Sequence, residues 1–141
     1  MGTDLHLRTK AWLAKARSDL RTATILSADK NPPLDAAIYH CQQAGEKAVK
    51  AFLHHQEIPV QRTHNITQLV EGASKINARF DELLDDADLL TPLVASFRYP
   101  DETDWEASPE PTRAQFDEAL ASAQRIYDFV LSLLPTETHP T

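Results

Sequence analysis

Apolar residues recur along the chain at alternating spacings of three and four, with no clean period-two alternation. That pattern predicts helices and no strands. Leu13, Ala16, Leu20 and Ala23 form the inward face of a helix expected over residues 4–28, while Lys10, Arg17 and Arg21 share its outer side. Asn31-Pro32-Pro33 then separates it from a second helix over residues 33–56. Asparagine can cap, and proline suits a first turn, where its missing N–H is not needed. Ile38, Cys41, Gly45, Ala48 and Phe52 make the buried stripe of the second helix. Gly45 costs roughly 1 kcal/mol there relative to alanine, so close approach of another helix is expected to compensate.

Thr63 or Asn65 can cap a third helix, in which Ile66, Leu69, Val70, Ala73, Ile76 and Phe80 make one continuous stripe. A fourth carries Leu83, Ala87, Leu90, Val94 and Phe97. Pro92 interrupts it, either as a kink or as the first-turn residue of a new helix capped by Thr91. Residues 100–111 form an acidic loop with Trp105 and three prolines. Thr112-Arg-Ala-Gln115 reads as a capping box opening a last helix, whose inner side runs from Phe116 through Ile126 to Leu133. About four or five amphipathic helices joined by short turns fold as an all-α, up-and-down bundle.

The 141 residues suffice for one domain, expected over residues 1–135 with a polar, frayed tail at 136–141. Cys41, the single cysteine, excludes an internal disulfide framework, and its place on the apolar stripe marks an inert buried thiol. No run approaches the ~18 apolar residues of a membrane span, and no apolar signal segment opens the chain. A soluble cytoplasmic protein is the expectation. The net charge of −7 argues against DNA or another generic polyanion as partner. That charge is uneven. Residues 8–30 hold Arg8, Lys10, Lys15, Arg17, Arg21 and Lys30 against Asp19 and Asp29, whereas residues 81–106 hold nine carboxylates against Arg98. Two solvated helix faces, a local phosphate site or complementary docking all fit this distribution.

The second helix carries the densest candidate chemistry. His40, Gln43, Lys47, Lys50 and His54 follow helical spacing opposite the apolar stripe. Lysines there can contact phosphate, and histidine and glutamine can donate or accept hydrogen bonds, although a solvated polar face has the same pattern. Glu46 and Lys50 are four apart in the order that favours an ion pair, a structural use of Lys50. His64 lies near a helix N-terminus, where it can meet an anion or move a proton, or simply bond the turn. In Arg98-Tyr99-Pro100-Asp101, arginine offers a fork for phosphate and Tyr99, like Trp105, a surface for stacking a base. The alternative is that Arg98 pairs with Asp101. His54 and His55, adjacent in sequence, diverge by ~100° on a helix and cannot chelate together. No other spacing suggests a metal site, no cofactor is implied, and His6 and His139 lie in the terminal segments.

Three of these stretches occur in a telling order: Gln42-Gln43-Ala44-Gly45-Glu46-Lys47-Ala48, then Thr63-His64-Asn65-Ile66, then Arg98-Tyr99-Pro100-Asp101. Together they resemble the HEPN family, named for higher eukaryotes and prokaryotes nucleotide-binding, from about residue 11 to 134. The resemblance implies a helical bundle that commonly pairs into homodimers. It also implies a nucleotide or nucleotide-bearing substrate as ligand, with His40, Gln43, Lys47, Lys50, His64, Arg98 and Tyr99 as candidate binding residues. HEPN ribonucleases carry an Arg-x(4–6)-His motif. From Arg98 the required positions are Thr103, Asp104 and Trp105, and no other arginine has a histidine at that interval. The resemblance is therefore to the noncatalytic branch, often found beside a small nucleotidyltransferase in toxin–antitoxin-like pairs. Two alternatives stand beside it: a divergent metal-independent ribonuclease using His64 and Arg98, and a structural dimerisation module.

Overall fold

The computed structural model describes residues 2–107 and 109–141. Among them are six α-helices: α1 (Gly2–Ser27), α2 (Leu34–His55), α3 (Ile66–Ser74), α4 (Leu84–Leu90), α5 (Leu93–Phe97) and α6 (Arg113–Leu133). Short 3₁₀ segments occupy Ala78–Leu83, Trp105–Ala107 and Thr136–Thr138, and no strand occurs among the described residues. The architecture is the all-α bundle that the periodicity predicts.

Helix α2 is the axis of the bundle. It packs most extensively on α1 and α6 and also touches α3, α4 and α5. Its expected apolar stripe is buried, but so are Gln42, Glu46 and Lys50. Gly45 explains how so many elements fit around one helix. A Cβ built there would meet Leu90 Cδ1 at 3.1 Å, Ile66 Cδ1 at 3.3 Å and Ile126 Cδ1 at 3.5 Å. Side chains from α4, α3 and α6 thus converge on the missing methyl, as the close-approach argument anticipates.

Three local expectations are corrected. The stripe from Ile66 to Phe80 is not one helix: α3 stops at Ser74, and Ile76 is exposed. Asn77 takes an extended backbone and its side chain accepts from the Arg79 N–H, starting the 3₁₀ turn that still delivers Phe80 to the core. Asn31 does not cap α2, whose N-cap is Pro33 without a side-chain bond. The segment 136–141 is docked rather than frayed. Thr138 is buried, His139 Nε2 lies 2.9 Å from the Leu131 carbonyl, and Arg17 of α1 donates to the carbonyls of Pro140 and Thr141. Three carbonyl groups near the end of the chain find donors that way.

Elsewhere local signals hold. The Asn65 side chain caps α3, accepting from Gln68 N–H at 3.0 Å. Thr112 and Gln115 form the reciprocal capping box of α6. Pro92 separates α4 from α5, while the Thr91 hydroxyl donates back to the Ala87 carbonyl instead of capping the new helix. Buried Asp86 on α4 accepts from Ser122 at 2.9 Å and from Arg125 at 2.7 Å, both on α6. That strap fixes α4, and hence the short α5 that presents Arg98. Burial pushes the Cys41 thiol up to about 12, so it stays protonated and inert at neutral pH.

Gly45→Ala should gain helix propensity yet destabilise the protein, because Leu90, Ile66 and Ile126 are themselves fully buried and have nowhere to retreat. A net loss of about 1–2 kcal/mol in denaturant unfolding is expected. A second prediction concerns His55, which stacks on His6 at 5.7 Å and contacts the Thr9 hydroxyl at 3.3 Å. Burial, with the nearby His6, holds its pKa below the ordinary 6.5. The unfolded chain therefore binds this proton first as pH falls, so stability should be fullest above about 6.5 and decline below it. Melting curves of His55→Gln should show a shallower decline over that range.

Candidate functional site

The polar face of α2 divides between two networks, because residues advance by 100° and the expected stripe straddles two neighbours of the helix. On the α1 side, Asp19 accepts from Lys47 Nζ at 2.7 Å and lies 2.8 Å from His40 Nδ1. Asp19 is buried, so both side chains close over it and tie α1 to α2. His40 and Lys47 are thereby engaged in the bundle.

The second network starts in the core. Lys50 Nζ donates to Glu46 Oε2 at 2.9 Å, with both side chains less than one-tenth exposed. The structural use of Lys50 is the observed one. The other oxygen of Glu46 lies 2.9 Å from His64 Nδ1 and also receives Gln42 Nε2 at 3.3 Å. Gln42 Nε2 bonds the His64 carbonyl at 2.9 Å as well, and Gln43 Nε2 donates to Gln42 Oε1 at 2.9 Å. A carboxylate only accepts, so Nδ1 of His64 carries the proton and Nε2 is left for solvent or a ligand. The His64 side chain is 80% exposed. An exposed imidazole is thus held in one tautomer by a buried anion.

His64 opens onto a cleft of about 200 Å³ with Tyr39, Gln42, Gln43, Val94, Arg98 and Tyr99. The Arg98 guanidinium stands over the Tyr39 ring, 4.1 Å from its centroid, a cation–π contact that fixes the fork while leaving its N–H edge available. Arg98 forms none of the ion pairs among the described residues. Asp101, the partner in the alternative reading, accepts from Thr103 N–H at 2.9 Å and Thr103 Oγ1 at 2.6 Å. Those bonds hold its carboxyl below the usual range.

Four sequence candidates thus come together: Gln43, His64, Arg98 and Tyr99. His40, Lys47 and Lys50 do not line this cleft, and neither does Trp105. Sequence reasoning assigned no site role to Glu46, Gln42 and Tyr39. A signal existed for them, since Tyr39, Gln42, Glu46 and Lys50 recur at three- and four-residue steps. That row is masked by an aromatic residue and an apparent surface ion pair. No group of three or more His, Cys, Asp or Glu among the described residues is placed to hold a metal ion. No helix among them is long and apolar enough to cross a membrane.

A sequence profile of the HEPN domain matches residues 9–133. Among solved structures, TT1696 from Thermus thermophilus is 28% identical with a TM-score of 0.77, covering 91% of this chain and 99% of its own. ST0689, an archaeal HEPN homologue, is 25% identical with a TM-score of 0.68, covering 89% of this chain and 96% of its own. No curated protein matches the sequence.

Removing Glu46 should expose the hierarchy of the site. Glu46→Ala leaves Lys50 buried without its counter-charge and should cost about 3–5 kcal/mol in unfolding free energy. His64→Ala, at an exposed position, should shift stability by less than about 1 kcal/mol. Equilibrium urea unfolding of both variants checks the contrast.

Proposed function

The chain belongs to the HEPN domain family, and on that premise we propose that it is a noncatalytic nucleotide-binding module whose ligand seats in the Tyr39–Arg98 cleft. The observation that carries this reading is the convergence of Gln43, His64, Arg98 and Tyr99 from three distant stretches of chain onto one hollow. Each supplies a different contact. Arg98, held by the Tyr39 ring, offers paired N–H groups to a phosphate. Tyr99, 68% exposed, offers a face for a base. Gln43 and His64 Nε2 suit the polar edges of base or sugar. The small hollow and the net charge of −7 favour a mononucleotide or a nucleotide-bearing end over a long nucleic-acid track. The family resemblance adds a small nucleotidyltransferase as partner in a toxin–antitoxin-like pair, and self-association into a homodimer.

One observation favours a second reading. Glu46 orients His64 with Nε2 free, and Arg98 lines the same cleft. A base and a phosphate-binding cation are thus both at hand, as a divergent metal-independent ribonuclease would require. Neither residue belongs to an Arg-x(4–6)-His motif, so the noncatalytic reading is preferred.

Thermal melts separate the two. A nucleoside triphosphate at 100 times its dissociation constant should stabilise the fold by about 2.7 kcal/mol, more than the nucleoside does. Arg98→Ala should abolish most of that difference, whereas His40→Gln, on the α1 side and outside the Tyr39–Arg98 cleft, should preserve it. Absence of any shift with saturating nucleotides would reject the site. Cleavage of single-stranded RNA without added metal, lost in both His64→Ala and Arg98→Ala, would establish the ribonuclease instead.

A further inference from the structure

Hollows larger than that cleft lie away from it, between the first half of α1 and the end of α2. Two of them share Arg8, Trp12 and His54 in their walls. One, about 490 Å³, runs past Leu5, Ile58 and Val60. The other, about 340 Å³, continues between Trp12, Lys15 and Lys47. Both volumes fall in the ~300–1,000 Å³ range of small-molecule sites.

The lining is chemically divided. Trp12, Ala11 and the aliphatic stems of Lys15 and Lys47 can wall the smaller hollow with apolar surface. Asp4 and Glu57 line the larger hollow alone. Asp4 engages Arg8 at 2.6 Å, and Asp19 engages Lys47. Lys15 takes part in none of the ion pairs among the described residues. His54 borders both hollows, and its Nε2 is the one buried side-chain polar atom among the described residues without a hydrogen-bond partner.

We propose that the Trp12 hollow is a second ligand site, for a flat aromatic anion. The aromatic body packs against the indole, where stacking adds to plain burial. The acid group sits at the Lys15 end, remote from the carboxylates of the larger hollow. The site shares no lining residue with the Tyr39–Arg98 cleft and stands or falls independently of it.

The test uses the full chain and 1-naphthyl phosphate as probe, followed by the Trp12 indole N–H signal in heteronuclear NMR. Trp105→Phe identifies that signal, since the chain has two tryptophans. The probe should move it saturably with a dissociation constant below roughly 1 mM. Lys15→Gln, an exposed substitution, should weaken binding by about fivefold, the scale of one solvent-accessible charge contact. Arg98→Ala should leave it unchanged, and neutral 1-naphthol or inorganic phosphate alone should bind far more weakly. No saturable shift, equal binding of 1-naphthol, or loss of the effect in Arg98→Ala would each overturn the proposal.

Discussion

An ion pair inside the bundle, Glu46 with Lys50, is the contact on which the functional face of this protein depends. Helix α2 is surrounded by five other helices, so its polar residues cannot all reach water. A buried charge is tolerated only when paired and hydrogen-bonded. Glu46 meets that condition by committing one oxygen to Lys50 and the other to His64 and Gln42. The same carboxylate that resolves an electrostatic problem of folding therefore fixes the orientation of an exposed histidine. Stability and site geometry share one set of atoms.

The rest of the cleft is assembled by packing rather than by sequence neighbourhood. Arg98 follows α5, a helix of five residues with no fully buried side chain of its own. Its position is inherited from α4, which the Asp86–Ser122–Arg125 strap holds against α6. Contact with Tyr39 completes the placement from the α2 side. A substitution on α6 can thus reach the cleft through α4, without touching any residue that lines it.

Gly45 makes the crowded arrangement around α2 possible. Leu90, Ile66 and Ile126 close on the position where another residue would carry a methyl group. The helix gives up propensity at that point and gains three close neighbours, one each from α4, α3 and α6. Asp19 performs the matching task on the opposite side, drawing His40 and Lys47 toward α1.

Helical periodicity and local caps were readable without coordinates, because both depend on residues within a turn or two of one another. The long helices, the Thr112–Gln115 box and the cap at Asn65 are of this kind. The ordered Gln-Gln-Ala, Thr-His-Asn-Ile and Arg-Tyr-Pro stretches also carried the family relationship. What the chain could not announce is which neighbour each polar residue of α2 would face. Lys47 and Gln43 differ by four positions, yet one bonds Asp19 of α1 and the other borders the Arg98 cleft. A rotation of tens of degrees about the helix axis decides between them, and that angle is set by the packing of five helices at once. The end of the chain makes the same point: a polar segment reads as loose until α1 supplies Arg17 to its carbonyl groups. Sequence specified the elements and their polar inventory; the tertiary structure, through burial and the need to pair every enclosed charge, decided which of those groups were left to meet a ligand.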